Sequence, residues 1–259
     1  MALYDLTTVH TALRGTRFAG LVRYFPSTDS TNTLALAAAQ AGEPEGAVFV
    51  AAEQSAGRGR GGHTWHSELG AGLYASVLLR PELPANDALK LAFVAGLAAA
   101  QAIEQIAGVR TDLRWPNDLM LGERKCGGIL VETATEAGGR MRHAMVGIGI
   151  NVNHASFPDE LRAEATSLRM ETGRTQDAQT VLIALLVNLE RELGVLTRGE
   201  DVCARFETAS SWARGKRVRV EEDGGYTGVT AGLDGNGLLL VNVDGGGIRK
   251  VRSGGVRTI

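Results

Sequence analysis

Apolar and polar positions follow two rhythms along this chain, one of strands and one of helices. Short apolar runs at Leu21–Phe25, Ala47–Glu53 and Leu73–Leu79 have strand length and β-type residues. After the first, Asp29 or Ser30 stands where a helix would be capped, and that helix runs to about Ala41 and stops at Gly42. Asn86 is placed to cap a long alanine-rich helix ending near Gly108. Strands then crowd together at Asp112–Trp115, Asp118–Leu121, Gly128–Thr133 and Met141–Asn151, with Gly122 and Gly138-Gly139 as turns. Helical spacing returns from Asp177 to Leu196, where Val181, Leu185, Leu189 and Leu193 recur every fourth residue. Glu200–Ser211 predicts one more helix.

Beyond Trp212 the texture changes. Arg217–Val220, Leu238–Val243 and Ile248–Val251 are short β-type runs broken by glycine pairs that read as hairpin turns, and there is no internal repeat. The pattern predicts an α+β fold in two domains. Residues 1–212 would form a mixed β-sheet with helices packed on it, and residues 213–259 a small β-barrel.

Composition narrows the function classes. With 44% hydrophobic residues in a chain of 259, a large buried core is expected. A net charge of -2 and a pI near 6.2 give no basic footprint, so no nucleic-acid partner is expected. Cys126 and Cys203 match neither a zinc nor a redox spacing and read as reduced thiols. The N-terminus lacks a signal pattern. The run closest to a membrane span, Leu91–Ile106, contains Gly96, Gln101, Glu104 and Gln105 and reads as a core helix. The expected location is cytoplasmic, without a membrane partner.

Candidate chemistry lies in two segments. Residues 54–67, Gln-Ser-Ala-Gly-Arg-Gly-Arg-Gly-Gly-His-Thr-Trp-His-Ser, place Arg58 and Arg60 on a glycine-rich backbone with Trp65 close by. Such backbone lets N–H groups approach an anion, and guanidinium forks match phosphate or carboxylate. Gly57, Gly59 and Gly62 fit G-x-G-x-x-G, but no helix opens at the third glycine, so a dinucleotide site is not expected. Read alone, the segment equally describes a mobile surface loop. His63 and His66 have no companion ligands nearby in sequence, and no metal site is expected there. The second segment, 114–133, sets Lys125 before Gly127-Gly128 and a buried strand. It offers a fixed positive charge beside approachable backbone, although Arg124-Lys125 alone would also suit a solvated hairpin.

Together the two segments resemble the biotin–protein ligase family, whose members carry Gly-Arg-Gly-Arg-x-Gly-Arg-x-Trp, then Lys-Trp-Pro-Asn-Asp and Lys-x-x-Gly-Ile-Leu-x-Glu. Ser30-Thr31-Asn32, Gly147–Asn153 and Ala165–Leu168 match further family segments in order. The likeness covers nearly the whole chain. It implies a catalytic domain like the class II aminoacyl-tRNA synthetases, as in the biotin/lipoyl ligase superfamily, with a C-terminal SH3-like barrel. Three positions depart from the family pattern: Gly61 and His63 replace loop arginines, and Arg114 replaces a lysine. The first expected strand begins at Leu21, which leaves no room for a DNA-binding helix-turn-helix before it.

By resemblance, the activity is ATP-dependent formation of biotinyl-5′-AMP and transfer of biotin to a lysine of a biotin carboxyl carrier protein. Lys125 and Arg60 would be catalytic. Ser30, Thr31, Asn32, Gln54, Arg58, Gly59, Arg60, Lys125, Gly127, Gly128 and Ile129 would bind biotin. Arg58, Arg60, Trp65, Asn117, Lys125 and Asn151 would bind ATP. Mg²⁺ would arrive with ATP and not in a preformed protein cage. The alternative is a lipoate or octanoate ligase or transferase of the same superfamily.

Overall fold

In the computed structural model, which describes residues 3–252 and 255–259, the chain forms one sheet of seven strands and then one of five. Residues 1, 2, 253 and 254, which fall within the two expected domain ranges, lie outside that description. Ahead of the first strand is a helix the apolar pattern did not reveal, α1 (Leu6–Ala12), capped by Asp5, whose side chain accepts from Thr7 N. The first sheet then begins with β1 (Val22–Phe25), followed by α2 (Thr31–Gln40), β2 (Val48–Ala51) and β3 (Gly72–Leu79). The long helix α3 (Ala88–Ala107) does not start at Asn86: a 3₁₀ turn spans Ala85–Asp87, and Asp87 pairs with Lys90 at 2.9 Å. Next come β4 (Asp112–Arg114), β5 (Asp118–Leu121), β6 (Arg124–Thr135) and β7 (Met141–Asn151). Strand β6 is longer at both ends than its apolar stretch, because Arg124 and Lys125 pair with β5 and the rest pairs with nearly the full length of β7.

The helices α4 (Leu168–Thr172), α5 (Ala178–Thr197) and α6 (Val202–Thr208) follow. Asp177 caps α5 by accepting from Gln179 N and Thr180 N, and Asp201 caps α6. The C-terminal sheet is made of β8 (Arg214–Val220), β9 (Tyr226–Leu233), β10 (Leu239–Val243), β11 (Ile248–Val251) and β12 (Val256–Thr258).

Strand order in the first sheet is β1-β2-β3-β7-β6-β5-β4, parallel only between β1 and β2. Alternation along the strands decides which face each helix covers. Val48, Val50, Val77, Val146 and Ile148 belong to the main core, which also contains the apolar stripes of α3 and α5. Their neighbours in sequence, Ala47, Phe49, Leu78 and Met145, join a smaller cluster with Ala35, Ala38 and Ala39 of α2. Two helices therefore seal one face and one short helix covers part of the other, which leaves open space beside α2. Helix α3 is long and apolar enough to cross a membrane by length and composition, but most of its residues are buried in the core. Within that core Phe93 stacks on Phe206 with centroids 4.2 Å apart. Truncating either ring would cost about 3–5 kcal/mol.

The five-stranded sheet, of order β11-β10-β9-β8-β12, is antiparallel throughout. Its junction with the first sheet runs through residues 114 and 115. Trp115 Nε1 donates to the Gly237 carbonyl at 2.9 Å, and Arg114 Nη2 donates to the Val256 carbonyl at 3.1 Å. The Arg114 guanidinium also lies 4.3 Å from the Trp212 ring. Arg114 thus acts as a fastener between sheets, a role its planar fork suits better than a lysine would.

Candidate active site

The open space beside α2 is a cleft bordered by the N-terminus of α2, the glycine-rich loop and strands β6 and β7. Its floor is backbone. On β7 the alternation Gly147-Ile148-Gly149-Ile150 turns both isoleucines into the core and both glycines toward the cleft. Gly149 faces Gly128 across the β6–β7 ladder, and Gly147 faces Ser76 across β3–β7. A Cβ on Gly149 would meet the Trp65 indole at 2.6–2.9 Å, and one on Gly147 would collide with the Asn32 side chain. The missing side chains are what let Trp65 and Asn32 lie down on the sheet.

One wall is the N-terminus of α2. Ser30 occupies the cap position without a capping hydrogen bond from its side chain. Gln54 takes over that duty: its Oε1 accepts from Thr31 N at 2.8 Å, and its Nε2 donates to Ser67 Oγ at 2.9 Å. The buried Ser76 hydroxyl sits 2.7 Å from Thr31 Oγ1 and 2.5 Å from Asn32 Oδ1. Asn32 Nδ2 then donates to Glu132 at 2.7 Å. Thr31, Asn32, Gln54 and Ser76 therefore form one fixed polar network, with Ser30 at its edge.

The glycine-rich loop folds back over the cleft as a small hairpin. Gly59 N donates to the His63 carbonyl at 2.6 Å, and Trp65 N donates to the Gly57 carbonyl at 2.8 Å. Its tip is a turn at Arg60–Gly62 with Gly61 at φ 68°, so the departure from arginine at position 61 falls on left-handed backbone. Arg60 is half-buried against the cleft. Burial holds its guanidinium below the usual range, while Asp118 and Glu222 oppose that shift. Arg58 points elsewhere and pairs with Glu132 at 2.8 Å.

Lys125 supplies the other cation. Its Nζ lies 2.5 Å from Asp118 Oδ1 and 5.5 Å from the Trp65 ring centre. Its backbone is clamped from behind: Lys125 N donates to the Glu164 carbonyl at 2.7 Å, and Thr166 N donates to the Lys125 carbonyl at 2.9 Å. Asn117 donates through Nδ2 to the Ile129 carbonyl at 2.7 Å, which closes the turn between β4 and β5 over β6. Cys126, next to Lys125, is fully buried with its thiol pushed up to about 12 by that burial, so it offers no nucleophile.

Of the residues expected from sequence, Ser30, Thr31, Asn32, Gln54, Gly59, Arg60, Trp65, Asn117, Lys125, Gly128 and Ile129 line the cleft. Arg58, Gly127 and Asn151 do not. Gly127 packs between Leu119 and the Gly149 carbonyl, and Asn151 spends its amide on the Thr166 carbonyl, bracing the segment that clamps Lys125. Sequence reasoning left out Tyr74, Gly147 and Gly149, which line the site, Asp118, which holds Lys125, and Glu132, which holds Asn32 and draws Arg58 away. The signal for two of them was the Gly-x-Gly alternation inside a strand that otherwise reads as buried. The fold also carries His154 to His66, a juxtaposition that sequence spacing does not show.

A cleft with two cations, an aromatic lid and a backbone floor suits an acid and a phosphate ester brought together without an enzyme nucleophile. The model of the biotin/lipoate A/B protein ligase family matches residues 24–151. The bifunctional ligase/repressor BirA of Bacillus spizizenii is 37% identical over 86% of this chain and 70% of its own length. The biotin–[acetyl-CoA-carboxylase] ligase of Mycobacterium tuberculosis is 33% identical over 84% of this chain and 82% of its own. Among solved structures, the biotin protein ligase from Aquifex aeolicus in complex with biotin and ATP superposes with a TM-score of 0.78 at 31% identity. That match covers 92% of this chain and 98% of that one.

Proposed function

Because this chain belongs to the biotin protein ligases of the biotin/lipoate A/B protein ligase family, we propose that it makes biotinyl-5′-AMP and biotinylates a carrier protein. The acceptor is one lysine of a biotin carboxyl carrier protein, and the reaction takes place in the cytoplasm. In the first step a biotin carboxylate oxygen attacks the α-phosphorus of ATP, and the bond to pyrophosphate breaks. In the second, the carrier's lysine nitrogen attacks the acyl carbon, the bond to AMP breaks, and the amine proton leaves to solvent.

The observation that carries this reading is the Lys125 amine, presented into a glycine-floored cleft with Arg60 and Trp65 beside it. Both reactants of the first step are anions, and they repel one another. Lys125 lowers that repulsion and stabilises the charge that builds on the phosphorus oxygens. The polar network of Thr31, Asn32 and Gln54 offers fixed donors and acceptors for the ureido ring, and the bare backbone at Gly128 admits the tail. Trp65 and Asn117 border the space left for the nucleotide. Arg60 and the loop tip close over the mixed anhydride and keep water from it. Asp118 and Glu132 set carboxylate oxygens beside the cleft, a donor type that fits Mg²⁺ carried in on ATP with much of its water retained. The ion would neutralise the phosphate charges.

The test is a mixture of this protein, ATP, Mg²⁺, biotin and a purified carrier domain, followed by mass. The carrier should gain one biotinyl group on one lysine. Parallel reactions with lipoate and octanoate should leave it unchanged; modification by either acid in preference to biotin would reverse the assignment.

A further inference from the structure

Beneath the descending end of the loop, three side chains that no step above uses converge outside the cleft. His66, Glu68 and His154 each offer one ligand-capable atom, and the three atoms lie within 4.8 Å of one another. His66 follows Trp65 directly, and His154 lies just past the end of β7. The fold alone joins them, with ring centres 5.6 Å apart.

His154 is fully buried, and its ring stacks on Phe157 at 4.8 Å. Tyr74 Oη donates to the Glu68 carbonyl at 3.1 Å and lies 3.4 Å from His154 Nε2. With its proton spent on that carbonyl, the phenol presents a lone pair to the imidazole. This places the imidazole proton on Nε2 and leaves Nδ1 as an acceptor. Nδ1 is buried and has no partner among the described residues. A neutral imidazole whose second nitrogen is held by a neighbour is the form in which histidine binds metals.

We propose that His66, Glu68 and His154 form a transition-metal site of the Zn²⁺ class, tying the root of the glycine-rich loop to the end of β7. Two imidazoles and one carboxylate are a set that Zn²⁺ accepts readily, whereas Mg²⁺ and Ca²⁺ prefer oxygen ligands alone. Ligand atoms around one such ion sit about 3–4 Å apart, so the cluster needs to tighten by about 1 Å. His66 Nε2 and Glu68 Oε2 are already 4.0 Å apart, and their side chains are 34% and 57% exposed, free to make that movement. His154 stays fixed by its packing. The metal would hold one root of the hairpin in place while its tip at Arg60–Gly62 remained free to open and close. The site itself does not depend on the reaction assigned above; only its bearing on loop closure does.

The test titrates metal-free protein with Zn²⁺ alone and with Co²⁺ alone, reading bound metal and the visible ligand-field bands of Co²⁺. One ion per chain is expected, with bands of low-coordinate nitrogen and oxygen ligation and a raised Tm. A hundredfold excess of Mg²⁺ should not displace it. His66→Ala and Glu68→Gln alter exposed side chains and should keep the fold, as circular dichroism would verify. Each should weaken binding at least tenfold. Tyr74→Phe removes the hydroxyl that fixes the His154 tautomer and should weaken binding about 10–100-fold. No saturable binding by the wild type, or binding that His66→Ala and Glu68→Gln leave unchanged, would overturn the proposal. Because the readout is bound metal, failure here leaves the ligase reading intact, and failure of carrier labelling leaves this one intact.

Discussion

Asp118 holds the Lys125 amine with its Oδ1 2.5 Å from Nζ, so the cation of the cleft is already neutralised before any substrate arrives. Negative charge brought near Lys125 must compete with that carboxylate, and Asp118 thereby aims the amine as well as restraining it. Lys125→Gln should lower biotin-dependent pyrophosphate exchange by about 10²–10³-fold, the cost of removing one transition-state donor. Circular dichroism and Tm should stay near those of the wild type, because the Lys125 side chain is partly exposed. Near-normal exchange would mean that Lys125 only solvates the β5–β6 turn.

Arg60 sits at the tip of the loop hairpin, and its role is retention. Arg60→Gly should leave adenylate formation measurable while letting biotinyl-AMP escape. A mixture of the variant, biotin, ATP and an unrelated lysine-rich protein should then show biotin on the bystander, which the wild type should spare. Labelling confined to the carrier would remove Arg60 from the closure mechanism.

Gly149 lies under the Trp65 indole. Gly149→Ala keeps an allowed strand backbone but puts a methyl 2.6–2.9 Å from the ring, so the indole must lift. Overpacking of this kind costs about 1–3 kcal/mol, which corresponds to roughly 5- to 150-fold weaker ATP binding if Trp65 covers the nucleotide. Tryptophan emission should move to the red as the ring gains solvent. Unchanged emission with unchanged ATP affinity would show that Trp65 adapts elsewhere.

Asp177 gives a prediction about stability alone. Its carboxylate accepts from Gln179 N and Thr180 N, each at 3.2 Å, at the start of a helix that forms much of the main core. Asp177→Ala should cost about 1 kcal/mol. In a chain of this size that lowers Tm by about 2–4 °C. Carrier labelling at 25 °C should be unaffected.

Elements with a clean period were legible in the sequence. Strands β5 and β7 and helix α5 match the expected spans closely, since Gly122 ends the one strand, Gly138-Gly139 precedes the other, and α5 buries one regular stripe. Strand β9 was hidden because Gly228 and Gly232 interrupt its apolar alternation. Gly228 is there because any Cβ would strike the Asn242 carbonyl of the next strand, which is a tertiary cause with no local trace. Helix α4 has five residues, too few to show a period. In the site, charge was legible but partnership was not. Arg58 and Arg60 look alike in sequence, yet Glu132, 74 residues away, draws one of them off. His66 likewise looked alone until the β7 strand delivered His154. Pairings of this kind depend on which strands end side by side.

The backbone floor of the cleft has a thermodynamic consequence. Gly128, Gly147 and Gly149 have no χ angles of their own, so the rotamers a ligand must shift or freeze above them belong to side chains already resting there, Trp65 on Gly149 and Asn32 on Gly147. The conformational entropy of that surface was given up when the sheet formed, and it is recovered only on unfolding. A flat ring laid on these strands therefore competes with Trp65 and Asn32 above a floor that the β6–β7 ladder holds fixed. Selectivity among acids becomes a matter of how closely each can approach bare peptide.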